Sequence, residues 1–215
     1  HWPIALSQHE RTVLVADASY STIWMNNYLT ARKPGQQFIA PRGMAGLGWG
    51  FPMALGAKVA RPSSEVICIS GDGGFGHVWQ ELESAVRENL ALTAIVLNNS
   101  ILGFQKHSEL VQFGETTTAI AFNEVDHAAI ARSCGAEGIR VERPEDIGPA
   151  LDAAIGNGKV TLIEVITDSD AFPPITAWEK RADVLQTNLL KVTTPAAALA
   201  AVQALAAFVE ASEFV

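Results

Sequence analysis

The chain has 215 residues, the length of one large domain or two small ones. Its 15 Lys and Arg stand against 23 Asp and Glu, a formal net charge of −8, which argues against nucleic acid as a partner. With 48% hydrophobic and 18% charged residues it is not a disordered chain, and no run reaches the roughly 18 apolar residues that a membrane span needs.

The first residues are His1-Trp2-Pro3, with no Met and no basic segment leading into an apolar one, so no secretory leader is expected. Thr12 to Ala16 is a short apolar run ending at Asp17, which predicts a buried strand. Ser21 to Leu29 predicts a helix, and Gln37 to Ala40 a second strand. Gly43 to Gly50 is glycine-rich. Phe51 to Ala60 predicts a helix with Pro52 in its first turn, where the missing N–H costs nothing. Glu65 to Ser70 predicts a strand, Gly71 to Gly76 a tight loop, and Val78 to Leu90 an amphipathic helix. Leu92 to Leu97 predicts a strand that ends in Asn98-Asn99. An irregular, mobile-looking stretch covers 105–121. A helix follows over Val125 to Ser133, closed by Gly135, then a strand over Gly138 to Val141. Pro144 to Ile155 predicts a helix closed by Gly156, and Val160 to Ile166 a last strand. The Ala-rich run from Pro195 to Val209 predicts a packed terminal helix.

Strands that alternate with helices and read as continuous apolar runs imply βαβ units and a parallel sheet covered on both faces. The expected fold is therefore α/β: a single doubly wound domain with a mostly parallel central sheet of about six strands flanked by helices. That domain is expected over 1–180, with a helical tail over 181–215 packed on it or on a partner. Trp24, Trp49 and Trp79 are expected in the core. Cys68 and Cys134 lack metal-site spacing and read as reduced thiols of a cytoplasmic protein.

Ligands of such sheets sit at the carboxyl ends of the strands. The segments to read are Asp17–Ser21, Arg42–Gly48, Gly71–Gly76 and Asn98–Gly103. Gly71-Asp72-Gly73-Gly74-Phe75-Gly76 matches the G-x-G-x-x-G spacing of dinucleotide sites. Two details oppose a nicotinamide cofactor. Asp72 would repel a pyrophosphate unless a cation lay between them. The next strand ends in neutral Asn98-Asn99, where a ribose site wants an acidic residue. A carboxylate, a phosphate and a side-chain amide fit together as a Mg²⁺–diphosphate site instead. Asp72 and Asn99 end two successive strands, and parallel neighbours lie about 4.8 Å apart, so both could reach one ion.

Gly71-Asp72-Gly73 followed at this spacing by Asn98-Asn99 resembles the signature of thiamine-diphosphate enzymes. The segment from Arg42 to Ala57 resembles the glycine-rich segment and helix of their acetolactate synthase-like branch. The resemblance runs from about Val13 to about Pro174 and implies the C-terminal, diphosphate-binding domain of that family. It implies that Asp72, Asn99 and the backbone carbonyl of Ile101 ligate Mg²⁺. It implies that Gly71, Gly73, Gly74 and Phe75 form the diphosphate cradle, with Leu102 and Gly103 completing the loop after the metal ligands. Leu47 aligns with the bulky residue that bends the cofactor, and the carbonyl of Ala45 with the acceptor of its 4′-amino group. Ser19, Tyr20 and Ser21 are expected as further phosphate contacts, although related enzymes often carry Gln and His in this region.

Each residue also has a plainer reading. Asp72 and Asn99 could be turn and cap residues, Leu47 a core residue, and Ser19 or Ser21 a cap of the first helix. Gln105, Lys106 and His107 could face substrate or form a solvated helix turn. His77 and His127 read as packed or surface histidines.

The family's activating glutamate, which contacts the pyrimidine ring, comes from a separate pyrimidine-binding domain, usually on another subunit. No Glu here occupies a matching motif, and Glu81 and Glu83 lie at the wrong end of the cofactor. No catalytic residue is therefore expected in this chain besides Leu47 as the cofactor-bending residue. The expectation is part of a 2-oxoacid decarboxylase or carboligase, either a fragment of a longer synthase or one chain of a split one. Its partners would be a pyrimidine domain or subunit in a homo- or hetero-oligomer (dimer or tetramer) and a small 2-oxoacid. The alternatives are a subunit of a split, sulfopyruvate-type decarboxylase and a non-catalytic module of the same fold. A nicotinamide dehydrogenase is a third.

Overall fold

The computed structural model describes residues 12–31, 34–171 and 173. The residues before Thr12 and the expected tail over 181–215, with its helix over Pro195 to Val209, lie outside the described residues, as does Pro174.

Six strands form one sheet: β1 (Thr12–Ala16), β2 (Gln37–Ile39), β3 (Glu65–Gly71), β4 (Thr93–Asn98), β5 (Glu137–Val141) and β6 (Thr161–Ile166). Their spatial order is β2-β1-β3-β4-β6-β5, and every strand pairing is parallel. The helices are α1 (Tyr20–Tyr28), α2 (Gly50–Ala60), α3 (Asp72–Phe75), α4 (Glu81–Arg87), α5 (Gly103–Phe113), α6 (His127–Ser133) and α7 (Ile147–Ala154).

The pleat sends alternate residues to opposite faces, and each face has its own core. On one face Leu14, Ile67, Ile69, Ile95 and Ile163 pack under α1 and α7, through Trp24, Met25 and Leu151. On the other, Val13, Val66, Val96 and Leu162 pack under α2, α4 and α6, through Phe51, Leu82 and Ala131. Both faces being covered is why the strands read as continuous apolar runs. The order reverses at β1, which has β2 on one side and β3 on the other. In open α/β sheets that reversal opens a crevice at the strand ends.

Three expectations are corrected. The helix expected from Val78 to Leu90 begins only at Glu81, and the expected loop at Gly71–Gly76 contains the single helical turn α3. The mobile-looking stretch over 105–121 lies largely in α5, which Gly114 closes in the left-handed conformation at φ 78°. Beyond it come a 3₁₀ turn at Thr118–Ile120 and an antiparallel bridge between Ile101 and Ala121. Trp49 is 56% exposed instead of buried, while Trp24 is in the core. No helix among the described residues is long and apolar enough to cross a membrane.

Candidate functional site

The site begins with Asp17, the first residue past β1. Its carboxylate is fully buried at the point where the strand order reverses. Oδ2 accepts from the N–H of Gly48 at 2.9 Å, and Oδ1 from those of Trp49 and Gly50 at 3.0 Å each. Ser70 Oγ, at the end of β3, donates to Oδ2 at 3.3 Å. One side chain thus ties the glycine-rich loop to the ends of two strands. A Cβ on Gly50 would stand 2.8 Å from the Asp17 backbone, and one on Gly74 only 1.9 Å from Asp17 Oδ2. Those glycines are there for space.

Beside this knot, the ends of β1, β3, β4 and β6 line one cleft. It gathers Ser19, Tyr20, Ser21, Leu47, Gly71, Asp72, Gly73, Gly74, Asn99, Ile101, Leu102 and Gly103 from four separate segments. Two of the expected cofactor-binding residues do not line it. Ala45 is exposed on the glycine loop at φ 54°, next to Met44, which is 94% exposed. Phe75 turns its ring into the core, edge-on to Phe51 at 5.5 Å. Ser19 sits at φ 71°, ψ −141°, a region open essentially to glycine, on the lip of the cleft. It does not cap α1 through its side chain, and Ser21 Oγ donates to the Ala18 carbonyl at 3.1 Å.

Asp72 is 7% exposed. Its Oδ1 accepts from the Gly73 N–H at 2.8 Å, but its Oδ2 is buried without a hydrogen-bond partner. Desolvation by burial pushes the carboxyl up to about 6; the N–H of Gly73 pulls it down, as do those of Ser100 and Asn99, which lie near without forming a hydrogen bond. An unanswered, buried carboxylate oxygen is costly unless a cation answers it. Beside Asp72, past the end of the neighbouring β4, Asn99 Oδ1 accepts from the Ile101 N–H at 3.3 Å and keeps a second lone pair. Ser100 between them stands at φ 56°. Among the described residues no group of three or more His, Cys, Asp and Glu could hold a metal. One carboxylate with neutral oxygens around it is a donor set that fits Mg²⁺, which keeps waters and phosphate oxygens for the rest of its shell.

The histidines divide. His107 is buried against Tyr20, with Tyr20 Oη and His107 Nδ1 hydrogen-bonded at 2.6 Å. Burial, and after it the neighbouring Lys106, pushes His107 down to about 4. Lys106 Nζ donates to the Ser169 carbonyl at 3.1 Å and pairs with Asp170, so it ties α5 to the segment after β6. Gln105 alone of these three lines the cleft. His127 is buried; its Nδ1 accepts from Trp79 Nε1 at 3.1 Å, and burial lowers its pKa. His77 borders a second crevice that runs from Leu47 past Gly73 to Phe122. Glu81 and Glu83 do not line the cleft.

Sequence reasoning missed Asp17 as an organiser, and it missed Thr167 and Asp168, which line the cleft. The signal for the latter pair was available, since they follow the last apolar strand as the other site segments follow theirs.

A doubly wound α/β domain with a glycine-walled cleft at its topological reversal has the architecture of a nucleotide- or diphosphate-type cofactor domain. The family described as "Thiamine pyrophosphate enzyme, C-terminal TPP binding domain" matches residues 17–165, and the chain belongs to that family. It is 32% identical over 159 residues to an acetolactate synthase of Bacillus subtilis, covering 74% of this chain and 28% of that one. It is 35% identical over 153 residues to a sulfoacetaldehyde acetyltransferase of Castellaniella defragrans, covering 69% of this chain and 25% of that one. The thiamine diphosphate-dependent 4-hydroxybenzoylformate decarboxylase of Rhodococcus jostii superposes with a TM-score of 0.68 at 26% identity, over 74% of this chain and 30% of that one. The chain thus spans 25–30% of the length of these relatives.

Proposed function

We propose that this chain supplies the diphosphate- and Mg²⁺-binding half of a thiamine-diphosphate active site, in a 2-oxoacid decarboxylase or carboligase similar to acetolactate synthase. The observation that carries the reading is the buried, unpartnered Oδ2 of Asp72, a residue that lines one cleft with Asn99 and Ile101. In this reading Asp72, the side-chain oxygen of Asn99 and the carbonyl of Ile101 hold Mg²⁺. The backbone of Gly73 and Gly74 receives the diphosphate, with Ser19, Tyr20 and Ser21 lining the same cleft. Leu47 bends the cofactor from the glycine loop that Asp17 fixes. When bound, thiamine diphosphate supplies the electron sink for 2-oxoacid chemistry.

The activating glutamate would come from a pyrimidine-binding domain on another chain or segment, in a homo- or hetero-oligomer. The free thiols Cys68 and Cys134 fit a cytoplasmic assembly.

Calorimetry of the chain with thiamine diphosphate, with and without Mg²⁺, tests the site. Metal-dependent heat is expected, lost in Asp72→Ala; heat independent of metal would overturn the assignment. Pyruvate turnover is expected only when a pyrimidine domain is added. Turnover by this chain alone would overturn the half-site reading.

A further inference from the structure

Glu164 lies in β6 with no exposed surface, flanked by the apolar Ile163 and Val165. A carboxylate at such a position costs stability unless donors answer both oxygens. Here they do. Oε1 accepts from Asn98 Nδ2 at 2.7 Å, and Oε2 from the N–H of Ala128 at 3.1 Å. Arg140 Nη1 stands 3.4 Å from Oε1 and supplies the countercharge. The register pairs Val96 with Glu164 and Asn98 with Ile166, so Glu164 reaches Asn98 diagonally across one face of the sheet.

Asn98 passes this constraint on. Its Nδ2 also donates to the Val125 carbonyl at 3.0 Å. With both amide hydrogens committed, the planar amide has one direction left for its oxygen. That oxygen accepts from the Ser100 N–H at 3.1 Å. The resulting turn holds Ser100 at φ 56°, in the left-handed region that a serine adopts only at a cost. The reversal sets Asn99 and Ile101 on the wall of the cleft that Asp72 also lines.

We propose that Glu164 is a positioning residue for the metal-binding loop, acting through Asn98 on the turn that presents Asn99 and Ile101. The proposal rests on the site reading given under Proposed function. Glutamine at 164 would keep the shape but carry one oxygen. It would answer Asn98 or Ala128, and turn an NH₂ group toward the other donor.

The test uses the full chain, with Mn²⁺ plus thiamine diphosphate read by electron paramagnetic resonance. Amide hydrogen exchange over 98–102 is read in the chain without ligands. Glu164→Gln is expected to weaken Mn²⁺ binding about 10–100-fold, the range for groups that orient metal ligands, and to speed exchange over 98–102 about tenfold. Arg140→Gln removes the countercharge and leaves the acceptor of Asn98 in place, so it is expected to lower stability yet keep Mn²⁺ affinity within about twofold. A Glu164→Gln chain that melts earlier yet shows wild-type Mn²⁺ binding and wild-type exchange would overturn the proposal. If Glu164→Gln does not fold, Asn98→Ala removes the relay itself and is judged by the same two readouts. Failure of the wild-type chain to bind Mn²⁺ would instead overturn the site reading. The exchange data would then decide the link from Glu164 to the loop without it.

Discussion

Asp17 gathers four donors onto one buried carboxylate, and three of them are backbone N–H groups of consecutive residues. Asparagine at 17 would offer one acceptor oxygen where two are in use, and its NH₂ would confront an N–H. Hydrogen bonds to a charged group contribute roughly 1.5–3 kcal/mol, and a buried donor left unmade costs about as much. Asp17→Asn should therefore lower stability by about 2–4 kcal/mol in urea unfolding and loosen the loop that carries Leu47. A loss under about 1 kcal/mol would mean that the loop holds itself. This residue also marks the limit of what the sequence reveals at this scale. Asp72 and Asn99 were legible because Gly-Asp-Gly and Asn-Asn at this spacing form a pattern written in residue types and separation alone. Three of the four donors to Asp17 are amides 31 to 33 positions further on, and amides carry no sequence signature.

The strands were legible because burial on both faces leaves only apolar residues in them. The element that escaped is α5. Its buried residues are His107 and Val111, one of them polar, and no side chain caps its start. Much of its support is tertiary, from Tyr20 on α1 and from the segment past β6, and only Gly114 at its end announces it. The α6–β5 contact gives a prediction that belongs to elements. A Cβ on Gly138 would stand 2.1 Å from the backbone carbonyl oxygen of Ala128, at the start of α6. No rotamer relieves a clash with backbone, so Gly138→Ala must push the helix off the strand. The expected cost is about 1–3 kcal/mol, as for other overpacked cores. A wild-type urea midpoint for Gly138→Ala would contradict the spacing of the two elements.

For the whole molecule, two buried groups beside the cleft make stability depend on pH in opposite senses. His107 is held down to about 4 and Asp72 up to about 6, whereas unfolded they titrate at about 6.5 and 3.9. From about pH 6.5 down to 4 the unfolded chain takes the histidine proton that the folded chain refuses, so His107 makes stability fall on acidification. From about pH 4 up to 6 the folded chain keeps the aspartate proton that the unfolded chain has lost, so Asp72 makes stability fall as pH rises. Each is worth up to about 3 kcal/mol, and without metal they largely cancel between about pH 4 and 6. Asp72→Asn should uncover the histidine: its stability should climb from about pH 4 to 6.5 and exceed wild type above about 6. His107→Gln keeps a partner for Tyr20, and its stability should climb less with pH than wild type over about pH 4 to 6, with His127, also lowered by burial, still favouring the climb. Urea unfolding of the three chains across this range decides the matter, and parallel profiles would contradict both assignments. Mg²⁺ with thiamine diphosphate adds the last arm. A cation on Asp72 requires the ionised carboxylate, so ligand affinity should rise with pH up to about 6 and level off above it. The loaded wild-type chain should then show the same climbing stability profile as Asp72→Asn.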